Sequence, residues 1–273
     1  MLLLTAFVDL MQIGFVQFAP SLGDLSSTIA AIERLSEQFP PHSLLVLPEL
    51  CNSGYNFVSS AQAWETSESV DESAFVRFLS NLCRQRNLHI VSGLNEREGE
   101  RLFNSAVLVG PQGLIGKYRK LHLFLNEKDF FIPGDLGLPV FDVPGARIGM
   151  LVCFDWTFPE VWRSLALDGA DIICHPSNLV LPGRAQKAVP VQAMMNRVFV
   201  VTANRIGVER ELTFTGSSLI CNPSGDILAA APAVDESVML VDVDVRQARD
   251  KRVTAKNDLF GDRRPDQYRR LFR

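Results

Sequence analysis

The chain predicts an α/β layered fold with mixed sheets, and three observations carry that reading. Strand-like apolar runs alternate with helix-like amphipathic ones along its length, with no linker, low-complexity segment or obvious internal repeat between them. The stretch 103–120 folds back around the turn signal Gly110-Pro-Gln-Gly113, which makes an antiparallel hairpin. Elsewhere helical segments separate the strands and act as crossovers, which implies parallel pairs. The chain of 273 residues is long for one average domain, but single-domain layered sandwiches reach this size. With 47% hydrophobic and 21% charged residues, it can fill one large interior and is not a disordered chain.

In chain order, strands are expected near 12–18, 43–47, 89–94, 103–109, 113–120 and 147–153, then near 171–175, 198–203, 217–222, 226–230 and 238–243. Leu25, Ile29, Ile32, Leu35 and Phe39 recur at helical steps, as do Phe75, Phe78, Leu79 and Leu82, giving two amphipathic helices. Further helices are expected near 159–168, 185–196 and 244–250, with Pro190 kinking the second of these or marking its true start. For the first of them, Thr157 is placed to cap, Pro159 suits the first turn, and Glu160 closes a capping box.

The most informative residue is Cys153. It ends the apolar run Arg147-Ile-Gly-Met-Leu-Val-Cys153 and is followed at once by that helix-start signal. A thiol between a strand end and a helix start has the form of a nucleophile elbow with sulfur in place of oxygen. Free backbone N–H groups and a helix dipole there are expected to lower its pKa. A histidine is the usual partner of such a thiol, but His42, His89, His122 and His175 lie in no protease-like signature. Two other segments are better placed. In Leu44-Leu-Val-Leu-Pro-Glu49-Leu-Cys-Asn-Ser-Gly54-Tyr55 an apolar run stops at Pro48 and a carboxylate follows, where α/β folds carry chemistry. In Gly116-Lys-Tyr-Arg-Lys120 alternation puts Tyr118 and Lys120 on one strand face and Lys117 and Arg119 on the other. Taken singly, Glu49 also reads as a solvated loop charge and the basic run as a strand edge.

Other classes are poorly supported. A net charge of −4, with basic clusters only at Arg263-Arg264 and Arg269-Arg270, argues against nucleic acid; that tail reads as a docking strap. Neither GxGxxG nor a P-loop occurs. Five unevenly spaced cysteines without CxxC or metal spacing fit a reducing cytoplasm, and no cofactor or metal is expected. No apolar stretch is long enough to span a membrane. Residues 1–10 are apolar but lack the basic start and cleavage site of a signal peptide, so they read as an extension or a misplaced start.

Together the three segments resemble the nitrilase superfamily of carbon–nitrogen hydrolases, from about Met11 to about Phe260. The matching motifs are Leu47-Pro48-Glu49-Leu50 with Gly54-Tyr55, and Gly116-Lys117-Tyr118-Arg119-Lys120-Leu121-His122-Leu123-Phe124 with Pro133-Gly134-Asp135. The third is Gly149-Met-Leu-Val-Cys153-Phe-Asp155-Trp-Thr-Phe158-Pro159-Glu160, followed by Asp171-Ile-Ile-Cys-His-Pro176-Ser-Asn178. The resemblance implies a four-layer αββα sandwich of two mixed β-sheets flanked by helices, with the hydrolase domain at 11–260. It also implies a homodimer or higher homo-oligomer paired through helices, with 261–273 docking on the partner. The helix with Ala193, Met194 and Met195 reads equally as an apolar dimer face or as buried core.

The resemblance makes Cys153 the nucleophile, Glu49 the general base and acid, Lys120 the cation facing the tetrahedral intermediate, and Glu127 a second glutamate orienting these groups. Tyr55, Phe154, Trp156 and Asn178 become candidate substrate-binding residues, with His122, Phe124 and Phe158 further pocket candidates. Asp155 and Glu160 are expected to support the elbow. The implied reaction is hydrolysis of a small aliphatic amide, ω-amidase-like, through a cysteine thioester. An aliphatic nitrilase and an N-carbamoyl amide hydrolase are the alternatives. Phe154-Asp155, where many nitrilases have Trp-Glu, favours an amide. Arg184, Lys187 and Arg205 are candidate anchors for a substrate carboxylate. A homologue that keeps the fold without turnover would lack a triad member, and all three are present.

Overall fold

The computed structural model describes residues 10–272, so the expected extension lies, apart from Leu10, outside the described residues. Strands β1 (Met11–Gln17), β2 (Leu44–Val46), β3 (His89–Glu98), β4 (Arg101–Gly110) and β5 (Gly113–Arg119) form one sheet, completed by a late strand. Between them lie helices α1 (Leu25–Ser36), α2 (Ser60–Glu65) and α3 (Ala74–Arg86). The one-turn helix α4 (Glu127–Phe130) then leads to β6 (Val140–Val143) and β7 (Ala146–Met150). Next come α5 (Pro159–Leu167), β8 (Ile172–Ser177), α6 (Arg184–Asn196) and β9 (Phe199–Asn204). A small hairpin, β10 (Val208–Glu209) and β11 (Leu212–Thr213), precedes β12 (Leu219–Cys221), β13 (Ile227–Ala230) and β14 (Ser237–Val243). The chain closes with α7 (Arg246–Arg249), the hairpin β15 (Arg252–Thr254) and β16 (Asn257–Asp258), and two short 3₁₀ turns.

Two six-stranded sheets result, ordered β14-β1-β2-β3-β4-β5 and β13-β12-β9-β8-β7-β6. Both are mixed, with β1, β2 and β3 parallel in one and β7, β8 and β9 parallel in the other. Written from β5 and from β13, the two sheets run through the same series of antiparallel and parallel pairings. The fold therefore contains a topological repeat that the sequence does not display. In it β2 corresponds to β8, and β1 to β7.

Phe15, Val46, Val91 and Leu108 of the first sheet face Ile148, Ile172, Phe199 and Val201 of the second in one shared core. On the outer face of the first sheet, Ile32 and Leu35 of α1 and Phe75 and Leu79 of α3 cover Val16, Leu45 and Ile90. On the outer face of the second, Val161, Trp162 and Leu165 of α5 and Val189 of α6 cover Ile173 and Val200. The expected four-layer αββα sandwich is what the chain forms.

Local differences from the sequence reading have local causes. Strand β7 ends at Met150, and Cys153–Thr157 forms a single 3₁₀ turn, so Thr157 caps nothing. Helix α5 starts at Pro159 behind Phe158 with no side-chain cap, and Glu160 is exposed. Pro190 lies inside α6, whose start at Arg184 is six residues earlier. Short elements with little periodicity, namely β6, α2, α4 and the two small hairpins, were not foreseen.

One glycine decides where the Glu49 segment runs. A Cβ on Gly93 of β3 would lie 2.3 Å from Leu50 N and 2.4 Å from Glu49 Cα. The two segments are locked there by Gly93 N–H donating to Pro48 O (3.0 Å) and Cys51 N–H donating to Gly93 O (3.2 Å). Gly93→Ala should therefore destabilise the protein by about 1–3 kcal/mol, as overpacking does. Because the displaced backbone is that of Glu49, single-turnover acylation should slow as well. Urea melts together with rapid-quench kinetics check both effects, and an unaltered acylation rate would show that Gly93 does not position Glu49.

Candidate active site

Four of the expected residues meet, three of them just beyond the carboxyl ends of strands and the fourth at the start of a helix. Glu49 follows β2 at a turn where Leu50 takes φ 45°, and its side chain is fully enclosed. Lys120 follows β5, its N–H donating to Asn104 O of β4 at 2.8 Å. Its ammonium donates to Glu49 Oε1 and to Glu127 Oε1, each at 2.7 Å. Glu127 opens α4, and its Oε1 also accepts from the Tyr55 hydroxyl at 2.8 Å. A buried Lys120 is thus shared between two buried carboxylates.

Cys153 completes the group from the second sheet. It takes φ 43°, a left-handed backbone that a β-carbon tolerates poorly, and it is almost fully buried. The elbow is held by Asp155, whose carboxylate accepts from Tyr118 Oη (2.8 Å), Val152 N (3.0 Å) and His122 N (3.1 Å). Tyr118 and His122 belong to the Lys120 segment, so one aspartate clamps the cysteine turn to the lysine arm. His122 Nδ1 also lies 2.8 Å from Asp155 Oδ1, and its ring stacks on Phe158 at 3.5 Å. On the other side His175 Nε2 lies 3.0 Å from the Cys153 carbonyl oxygen. Burial pulls His175 down to about 4, so this ring is neutral and its Nε2 carries the proton given to that carbonyl.

Burial pushes the Cys153 thiol well above its ordinary range; the Glu49 charge adds to this, Lys120 opposes it, and Glu127 adds again. The expected lowering is not found, because burial together with the Glu49 and Glu127 charges outweighs Lys120, and the helix after the elbow starts six residues later. Burial would pull the Lys120 ammonium down, yet Glu127 and Glu49 outweigh it and hold Lys120 above the usual range. Glu127 is raised to about 7, by burial first and by Glu49, against the pull of Lys120.

Cys153 borders a narrow recess of about 20 Å³, which Phe124, Phe154, Trp156, Asn178, Leu179, Val180 and Leu181 also line. Tyr55 is not there; with Glu127 it borders a separate recess beside Asn56, Phe57 and Phe131. Nor do His122 and Phe158 line the Cys153 recess. Arg184, Lys187 and Arg205 do not border it either. Arg205 is enclosed and paired with Glu209, whose Oε2 accepts from the N–H groups of Tyr55 (3.0 Å) and Asn56 (2.7 Å). A residue the sequence reading missed is Asn104, whose Nδ2 donates to Glu49 Oε1 at 2.7 Å and approaches Glu127 Oε2 at 3.5 Å. Its signal was a polar side chain inside the apolar run of β4.

Comparison with known proteins settles the family. The family model described as carbon-nitrogen hydrolase matches residues 12–252. The chain belongs to the carbon–nitrogen hydrolases. This hydrolase is 43% identical to a protein named nitrilase from Pyrococcus abyssi, across 95% of its own length and 99% of the relative's. It is 35% identical to an (R)-stereoselective amidase from Pseudomonas sp, covering 88% of this chain and 87% of that one. Among solved structures, an amidase from Nesterenkonia sp. superposes with a TM-score of 0.79 at 28% identity, covering 96% of each chain. The enzyme is thus a nitrilase-superfamily hydrolase of amidase or nitrilase type. Among the described residues no cluster suited to a metal ion occurs, and no helix is long and apolar enough to cross a membrane.

The position of Glu127 gives this hydrolase a pH signature. A carboxyl raised in the fold from 4.5 to about 7 favours the protonated form, so its contribution to stability is full below the unfolded value and is lost as pH rises through the folded one. Wild type should therefore lose stability relative to Glu127→Gln between roughly pH 5 and pH 8. Urea unfolding of both proteins across that range checks it, and parallel profiles would show that Glu127 does not titrate there.

Proposed function

We propose that this hydrolase cleaves small aliphatic amides with an apolar acyl chain to a carboxylic acid and ammonia, through a thioester on Cys153. The recess at the thiol carries this reading: its walls are aromatic and aliphatic, and no charged side chain lines it. That composition suits a short hydrocarbon chain and disfavours the ω-carboxylate that an ω-amidase-like substrate would bring, since an unpaired charge there would be desolvated without a partner.

The resting thiol is neutral, so attack on the amide carbon is coupled to proton transfer. Glu49 takes the thiol proton as sulfur bonds to carbon, and its Oε2, which has no hydrogen-bond partner, is the available acceptor. The carbonyl oxygen becomes anionic between the Lys120 ammonium and the N–H of Phe154, next to the nucleophile. Glu49 then returns the proton to the amide nitrogen, the C–N bond breaks, and ammonia leaves the acyl thioester. A water gives its proton to Glu49 and adds to the thioester, and collapse expels the thiolate, which recovers the proton from Glu49. Glu127 and Asn104 hold Lys120 and Glu49 in register throughout.

The second reading is an aliphatic nitrilase, which the 43% identical relative of that name favours. The same thiol would add to a nitrile carbon. An ammonia-release panel separates the readings. Propionamide and butyramide should exceed their ω-carboxylated analogues by about tenfold or more in kcat/KM. Cys153→Ala should lower turnover by about 10⁴-fold or more while its melting curve keeps the cooperative form of wild type. Intact-mass analysis of wild type should reveal an acyl adduct on Cys153. Nitrile turnover without amide turnover would overturn the first reading.

All five cysteines are buried and unpaired, which supports a reducing, cytoplasmic setting. Pairing into a homodimer is supported by Leu167 of α5 and by Val191, Met194 and Met195 of α6, large apolar side chains left exposed on adjoining helices. Residues 261–273 then serve as a strap beside this face, following Phe260, which packs on Arg163 and Lys251 of its own chain. Light scattering should give a dimer mass for wild type and a monomer for the double variant Met194→Glu, Met195→Glu. A wild-type monomer would refute the pairing.

A further inference from the structure

Asn178 holds a position that the reaction as described does not use. It comes directly after β8, the strand that corresponds to β2 in the topological repeat, and it touches the backbone of Glu49. Asn178 Nδ2 donates to the Glu49 carbonyl oxygen at 3.0 Å. Because a carbonyl can only accept, this contact fixes which end of the carboxamide is which. The oxygen is therefore on the other side, and Asn178 Oδ1 is buried with no hydrogen-bond donor. The residue borders the Cys153 recess, and its backbone N–H lies close enough to the sulfur to pull the thiol down.

Glu49 Oε2 is likewise buried without a donor. Two residues beside Cys153 thus each carry an acceptor that lacks a donor, while in the proposed reaction Lys120 and Phe154 N–H are the donors to the carbonyl oxygen. A primary carboxamide brings the complement: one oxygen that accepts and an NH₂ with two donors. A nitrile brings no donor, and an ester brings none.

We propose that Asn178 Oδ1 accepts one N–H of the substrate's amide nitrogen and is a specificity-determining residue for primary amides over substrates without an N–H. This rests on the amide reading above. With one N–H held by Asn178, the other hydrogen and the developing lone pair turn toward Glu49, the group that must protonate nitrogen before it leaves. A substrate without that N–H enters at the cost of leaving a buried acceptor unpaired, the situation in which a hydrogen-bonding site discriminates most strongly.

The competing reading is that Asn178 is only a strut for the Glu49 backbone, and the test separates the two by substrate. Asn178→Ala and Asn178→Ser are compared with wild type on butyramide and on methyl butyrate, which pass through the same butyryl thioester. The amide-to-ester ratio of kcat/KM should fall by roughly 10–100-fold in Asn178→Ala. Asn178→Ser, which keeps an acceptor, should recover part of it. Equal losses on both substrates would reduce Asn178 to a strut and overturn the proposal. Should neither variant fold, binding to Cys153→Ala decides. Butyramide should bind at least about tenfold more tightly than 2-pentanone, which has a methyl group in place of NH₂. Equal binding, or tighter binding of the ketone, would overturn it. If wild type releases ammonia from butyronitrile and not from butyramide, the amide reading itself has failed. If wild type hydrolyses butyramide but the ratio does not move, only the recognition by Asn178 has failed.

Discussion

The site depends on one buried cation. Lys120 sits in a space closed to water with Glu49 and Glu127 each at 2.7 Å, and an unpaired charge buried there would be costly. Removing one partner from such a buried arrangement typically costs about 3–5 kcal/mol. The stronger consequence is chemical. Two carboxylates keep Lys120 charged against a burial that would otherwise neutralise it, so a permanent cation stands where the proposed reaction would form its oxyanion. The surplus of one negative charge falls on Glu127, which titrates near neutrality.

Such an arrangement requires that segments distant in sequence arrive together, and the topological repeat provides this. Glu49 and Asn178 leave corresponding strands of the two sheets, and Cys153 leaves the strand that corresponds to β1. Strand ends from both halves therefore converge on one crevice, the place where parallel strands commonly direct their functional residues. Each arrival is secured by a contact that tolerates little change. Gly93 admits the Glu49 turn, Asp155 ties the Cys153 elbow to the Lys120 arm, and the Arg205–Glu209 pair holds the backbone of Tyr55 and Asn56.

Much of this was legible in the sequence. The strands announced themselves by apolar runs, and alternation alone placed Tyr118 and Lys120 together, opposite Lys117 and Arg119. In the structure the first pair faces Asp155 and Glu49, while the second pair binds Glu96. What stayed hidden depends on the third dimension. Asn104 is one polar residue in an apolar strand until β4 brings it against Glu49. Arg205 reads as a cation free to meet a substrate until Glu209 is found beside it. The repeat was invisible because two sheets can share a pairing order while their side chains follow different packing partners. The thiol was misread for a similar reason: a helix-start motif suggests a dipole, but burial and carboxylate charge act at shorter range.

That misreading bears on how the nucleophile works. A thiolate held at rest would be reactive toward oxidants and stray electrophiles as well as substrate. Here the sulfur is buried, strained at φ 43° and kept protonated by its surroundings. In the proposed reaction its activation therefore depends on a substrate that fills the recess, brings its carbonyl to Lys120, and gives Glu49 an outlet for the proton. The carboxylate whose charge raises the thiol is also the one that, in the proposed reaction, receives the proton when bond formation begins. On that proposal, a thiol made unreactive by the same charges that later assist it is selective by construction, because only a ligand that supplies the hydrogen bonds missing at Glu49 and Asn178 relieves the constraint.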